Sequence, residues 1–290
     1  MSNNEIKALI DLLDDPDNEV FEIVKQKLLD QGTSVVPFLE KAWESSMNDL
    51  LQQRIENLTQ SIQFISVKSS LIEWKHALDN DLLTGAYIIA KYQYPDLNFN
   101  IIEKQINAIK QDVWLELNEN LTALEKVKIL NHIIFDVHGF TRNTANFFSP
   151  QNSYINHVLD THKGCPVSLA IIYASIAQNL NISVFGVNLP NNFILAYKDD
   201  ASTTESFDGN SNAVLFYINP FNKGAVFGKR EIDFFIQQQK LQPLKSYYNV
   251  CSNVEIIEEL IQSLISAYER LGYPEKIKDF NLLLEVLRGN

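Results

Sequence analysis

The chain has 290 residues, 46% hydrophobic and 21% charged, with a formal net charge of −12 and two cysteines. This is the profile of a soluble globular protein with room for two small domains, or one large domain with an appendage. The acidic balance without a Lys/Arg cluster argues against nucleic acid or membrane as partners, and no apolar run reaches the eighteen or so residues of a membrane span.

No basic segment followed by an apolar one opens the chain, and two cysteines make no disulfide framework, so reduced thiols in a cytoplasm are expected. Ile6, Leu9, Ile10 and Leu13 follow the i, i+3, i+4, i+7 spacing of one helical face. "DDPDN" (14–18) supplies a turn and a new N-cap, after which Phe21, Val24 and Leu28 carry a second face that Gly32 ends. Val36, Leu39 and Trp43 mark a third helix starting near Pro37, and Leu51, Ile55, Leu58, Ile62 and Ile65 a long fourth. Residues 1–70 thus read as a HEAT-like helical segment, which cannot bury both its faces alone.

Helical periodicity continues to about 135, and Gly139 is placed to close the last helix as a C-cap. Residues 141–164 turn polar and aromatic without a period, as a structured loop with one short helix would. "ISVFGVN" (182–188), "FILAY" (193–197) and "AVLFYIN" (213–219) are β-branched and aromatic runs of strand length. The polar, acidic stretch 199–212 between the last two, with Asp199, Asp200, Glu205 and Asp208, is expected to be a solvated hairpin loop. Ile257, Leu260, Ile261, Leu264 and Tyr268, then Ile277, Phe280, Leu284 and Leu287, predict two helices joined at "LGYP", a tetratricopeptide-like hairpin over 246–290.

The chemistry centres on "THKGCPVSLAIIYASIA" (161–177). Pro166 suits a first helical position, which puts Cys165 at or beside the N-cap. There the helix dipole and free N–H groups favour a thiolate and an oxyanion, but judged locally a buried small residue at a tight loop–helix junction is the better fit. A cysteine at a helix start followed by antiparallel strands is the layout of papain-like and transglutaminase-like thiol enzymes.

Residues of about 82–230 resemble the SirB-type family, a bacterial group with a transglutaminase-like core. The likeness is carried by "LLTGAYIIAKYQYPDLN", "LNHIIFDVHGFTRN", "SPQNSYINHVLDTHKGCPVSLAIIYASIAQNLNISVFGVNLP", "NFILAY" and "YINPFNKG". The resemblance implies an α+β fold, mostly helical, whose core (71–245) contains a small antiparallel sheet flanked by the two helical segments. It also implies a vestigial triad. Where the family typically reads Pro-Gly-His-Phe this chain has Pro190-Asn191-Asn192-Phe193, and where it reads Ile-Asp-Pro-Phe this chain has Ile218-Asn219-Pro220-Phe221. Cys165 is kept while the base and orienting positions, Asn192 and Asn219, are amides.

A carboxamide does not titrate near neutrality and cannot take a thiol proton, though the two amides are able to hydrogen-bond each other and Cys165. His157 and His162 are the nearest histidines in sequence and read as loop or surface residues. His132 and His138 do not share a helical face, so no zinc pair is read, and Cys251 reads as a packing residue. No metal or cofactor is expected. The expected function is a catalytically degenerate binding or scaffold protein with protein partners. The alternative is a Cys165-dependent amide-bond hydrolase or acyl transferase with a rearranged base.

Overall fold

The computed structural model describes residues 1–190, 192–198 and 214–289; the expected loop at 199–212 lies outside them. The chain divides into two compact units, Met1–Glu73 and Trp74–Asn290.

The first unit is built from helices α1 (Asn3–Asp11), α2 (Asn18–Leu29), α3 (Val36–Ser45) and the greater part of α4 (Asp49–His76). Their starts are encoded locally. Ser2 and Glu5 form a reciprocal capping box, and the Asp17 carboxylate accepts the Glu19 N–H. The predicted apolar stripes meet in one core, with Ile6, Ile10, Leu13, Val24, Leu28, Leu39, Ile55, Leu58 and Ile62 buried together. Ile65 departs from the predicted stripe of α4 and is 47% exposed.

In the second unit α5 (Leu82–Lys91), α6 (Phe99–Glu116) and α7 (Ala123–Asn131) follow, and α7 continues as a π-helical turn, His132–Val137. Gly139, at φ +70°, stops it where the sequence predicted. The aperiodic stretch holds a 3₁₀ turn, Pro150–Ser153, and α8 (Ile155–Thr161). It also holds two short strands, β1 (Thr141–Arg142) and β2 (Lys163–Gly164), which pair in parallel and are too short to leave a period in the sequence.

The centre of the unit is α9 (Pro166–Asn179). Every residue from Val167 to Ala177 is buried, as expected of a helix that is apolar all round. It packs against a four-stranded antiparallel sheet of β3 (Val184–Leu189), β4 (Asn192–Lys198), β5 (Val214–Asn219) and β6 (Ala225–Phe227), in that order. Leu189 pairs with Asn192, the last pair of the antiparallel β3–β4 ladder. On the other face, Ile232 and Ile236 of α10 (Lys229–Gln238) bury against Val187, Ile194, Ala196 and Tyr217. No helix was expected there, although Ile232, Phe235 and Ile236 follow the i, i+3, i+4 spacing of a helical face. The hairpin α11 (Asn253–Leu271) and α12 (Pro274–Arg288) closes the unit, and α11 packs on α5, α9 and β3. The protein is thus mostly helical α+β with a small antiparallel sheet. No helix among the described residues is long and apolar enough to cross a membrane.

Candidate functional site

Cys165 is the N-cap of α9, with extended backbone (φ −88°, ψ 172°) and Pro166 in the first turn. Its N–H is shared between the Asn152 carbonyl (3.2 Å) and the Ser168 hydroxyl (3.0 Å). Ser168 in turn donates to the Asn152 carbonyl at 2.6 Å. This knot explains the glycine before the cysteine. A Cβ at Gly164 would lie 2.6 Å from Ser168 Oγ and 3.1 Å from both Leu169 and Val158.

The thiol is 6% exposed. Its sulfur lies 3.4 Å from the hydroxyls of Ser153 and Ser168 and 3.8 Å from that of Ser263, a residue of α11. These are neutral partners that neither take a proton near pH 7 nor stabilise a thiolate as an imidazolium would.

Cys165 lies on the wall of a cavity of about 270 Å³. The loop before the 3₁₀ turn contributes Phe147, Phe148 and Ser149; the start of α9 adds Pro166 and Val167; the start of β4 adds Asn192 and Phe193. One face of α11 supplies the remaining wall: Glu259, Gln262, Ser263, Ser266, Ala267 and Arg270. Those positions step by three or four residues and form a single stripe opposite the buried Ile257, Leu260, Ile261 and Leu264.

Two of the three residues implied as a triad therefore share the cavity. Asn192 lines it, half-buried, yet no hydrogen bond joins its side chain to Cys165 or to Asn219 among the described residues. The Asn219 side chain accepts the Asn222 N–H at 3.2 Å and caps the 3₁₀ turn Pro220–Asn222; it is not part of the cavity wall. No histidine lines the cavity. His162, in the left-handed region at φ 56°, is exposed and stacks on Phe140 at 4.8 Å. His132 pairs with Asp136 at 3.5 Å and His138 with Asp112 at 2.8 Å, so the two face different carboxylates. Among the described residues no three His, Cys, Asp or Glu side chains come together as a metal site would require.

Sequence reasoning overlooked the charged groups of this cavity. Burial pushes the Glu259 carboxyl above the usual carboxylate range, and a hydrogen bond from the Asn188 amide (3.1 Å) offsets this only in part. Arg270 lays its guanidinium over the Phe148 ring at 3.8 Å. The signal was the break in polarity along α11, but a polar stripe on a terminal helix reads as a solvated face until the aromatic loop and β4 are seen opposite it. Cys251, just before α11, donates its N–H to the Gly186 carbonyl at 2.8 Å, and burial pushes its thiol up to about 12.

The chain is similar to proteins of two kinds. It is 28% identical over 151 residues to a UPF0162 protein of Xylella fastidiosa, which covers 52% of this chain and 50% of that protein. A UPF0162 protein of Pasteurella multocida is 32% identical over 91 residues, covering 31% and 34% of the two chains. F-box only protein 21 of Mus musculus is 25% identical over 214 residues, covering 66% of this chain and 33% of that protein. The chain thus spans about half the length, or less, of these curated relatives. No solved structure matches it. The family model described as transglutaminase-like superfamily matches residues 100–262, a span from α6 into α11 that takes in Cys165, Asn192 and Glu259. With more than half of its length in that match, the chain belongs to the transglutaminase-like superfamily.

Proposed function

We propose that this protein binds a ligand or partner in the Cys165 cavity and does no covalent catalysis there. In this reading it is a degenerate member of its superfamily, of the SirB type, in which Cys165, Asn192 and Asn219 occupy the positions of a former triad. The HEAT-like and tetratricopeptide-like helices supply further surface for a protein partner. The observation that carries the reading is the company of the sulfur: three serine hydroxyls within 3.8 Å and no imidazole on the cavity wall. A thiol needs a base to give up its proton at neutral pH, and a hydroxyl or a carboxamide is not one.

The test is iodoacetamide labelling at pH 7, read by mass spectrometry on the peptide holding Cys165. The expected rate is at or below that of free glutathione; a rate tenfold above it would overturn the reading. Asn192→His then examines the assigned position, because an imidazole there should accelerate labelling. No acceleration in a folded variant would remove Asn192 from the triad.

One observation favours a second reading. Glu259 sits on the same wall with its carboxyl raised by burial, so the cavity does hold an ionisable base. If Glu259 serves Cys165, p-nitrophenyl acetate should leave an acetyl thioester on Cys165, formed in the native protein and lost in Glu259→Gln.

A further inference from the structure

Two ionisable groups of opposite sign on the cavity wall have no ionic partner among the described residues. Glu259 takes one hydrogen bond, from the neutral Asn188 amide, and pairs with no cation among the described residues. Arg270 is braced against Phe148 and pairs with no carboxylate among them, although the chain carries 36 Asp and Glu against 24 Lys and Arg. In an acidic protein an arginine on a cavity wall would ordinarily find an acid. Holding it against an aromatic ring instead keeps its N–H edge free for something else.

The two charges belong to one helix, eleven residues apart. At 1.5 Å per residue that separation is about 16 Å along the axis. Between them the wall carries the Gln262 amide and the Ser266 hydroxyl, with the Ser149 hydroxyl and the Asn192 amide also lining the cavity, while the Ser153 and Ser263 hydroxyls bond each other at 3.2 Å beside the sulfur. A cation end, an anion end and a run of hydroxyl and amide groups between them match a short extended peptide with both termini free. Its ammonium would meet Glu259, its peptide groups Ser149, Ser266 and the Gln262 and Asn192 amides, and its carboxylate Arg270, as a fork meets a planar acid. Extended chain covers at most about 3.3–3.6 Å per residue, so about four or five residues bridge the distance.

We infer that the cavity takes a short peptide with free termini, ammonium at Glu259 and carboxylate at Arg270. This rests on the binding reading above and supplies its ligand class.

Oligoglycines test it, since they carry termini and peptide groups and nothing else. Triglycine to hexaglycine are titrated calorimetrically into the full-length protein, with pentaglycine also N-acetylated, C-amidated, or both. Affinity should peak at four or five residues, and each cap should weaken binding about tenfold or more, the scale of a hydrogen bond to a charged group. Acetylation should cost nothing further in Glu259→Gln, nor amidation in Arg270→Gln. Equal binding of the doubly capped peptide, or no saturable binding of any peptide, overturns the inference, and the wild-type arms decide it even if a variant misfolds. Mass spectrometry of the protein after titration separates the two readings. A glycyl adduct on Cys165 would refute the non-catalytic function whatever the caps do, while unmodified protein with cap-insensitive binding would refute the charge assignment alone.

Discussion

Replacing Gly164 by alanine probes the junction that holds Cys165, and its outcome depends on one oxygen. The new Cβ would lie 2.6 Å from Ser168 Oγ. That hydroxyl cannot give way, since it is 1% exposed and tied to the Cys165 N–H and the Asn152 carbonyl. Overpacking of this kind costs about 1–3 kcal/mol. Alanine recovers roughly 0.4–1 kcal/mol by restricting the unfolded chain, leaving a net loss of about 1–2 kcal/mol. Ser168→Ala alone should cost about 1–3 kcal/mol, because it removes buried hydrogen bonds. In the double variant the closest clash is gone and only the 3.1 Å approaches to Leu169 and Val158 remain. Gly164→Ala should then cost under about 1 kcal/mol, a coupling between neighbours on the scale of about 1 kcal/mol. At roughly 2–4 °C per kcal/mol for a unit of this size, Gly164→Ala should lower Tm by about 2–8 °C in the native background and by about half that or less beside Ser168→Ala. Near-UV circular dichroism follows the melting of the tyrosine-rich second unit. Equal shifts in both backgrounds would refute the role given to Ser168.

The Glu259 carboxyl, raised by burial, holds its proton to higher pH in the folded than in the unfolded chain. Its contribution to stability is therefore complete below the unfolded carboxyl's value and lost as pH rises through the folded one. Melting curves from pH 4 to 8 should show Glu259→Gln gaining on the native protein as pH rises; a constant difference would refute the burial argument. The Cys251 thiol, pushed up to about 12, should stay protonated at pH 8.5, where the thiols of the unfolded chain are about half ionised. Folded protein should accordingly alkylate at Cys251 far more slowly than protein in denaturant, and the thiol's contribution to stability should fade between about pH 8.5 and 12. In the first unit Arg54 donates to the carbonyls of Leu13 (2.7 Å) and Asp15 (2.9 Å) and lies 4.1 Å above the Phe21 ring. Arg54→Ala should destabilise by about 1.5–3 kcal/mol, with Arg54→Lys recovering only part, as measured by chemical denaturation.

What could be read in the sequence was what local physics decides. Pro166 after Cys165 announces the start of α9, and the mostly apolar run behind it announces a buried helix. β-branched and aromatic runs of strand length placed the strands of the hairpin. Features that depend on distant partners were not legible. The two-residue strands β1 and β2 exist because Thr141 and Lys163 meet across the fold, and nothing within either pair of residues demands it. The motif likeness led to Asn219 as a companion of Cys165, but its side chain is engaged in capping the turn that follows it. Glu259 and Arg270 were invisible as site residues because periodicity identifies a polar face without saying what stands opposite.

That last omission bears on how such a fold can change its role. The thiol, Asn192 and Phe193 reach the cavity from α9 and β4, elements whose other side chains are nearly all buried and so resist change. Core positions there lose stability on substitution, so their geometry is held whether or not chemistry is retained. Three positions of the α11 stripe are under no such constraint, unlike the buried Ala267 and the hydrogen-bonded Ser263 and Glu259. Gln262, Ser266 and Arg270 are exposed on a helix whose opposite face already supplies its packing, so each can be exchanged at little cost to the fold. A cavity with one wall fixed by the core and one wall free to vary can lose a base on the first and acquire a new recognition surface on the second. On this argument, alanine substitutions at Gln262, Ser266 and Arg270 should alter ligand binding with little effect on Tm, whereas substitutions at Val167 or Phe193 should lower Tm first. A stripe whose variants unfold before they lose binding would show that both walls are structural.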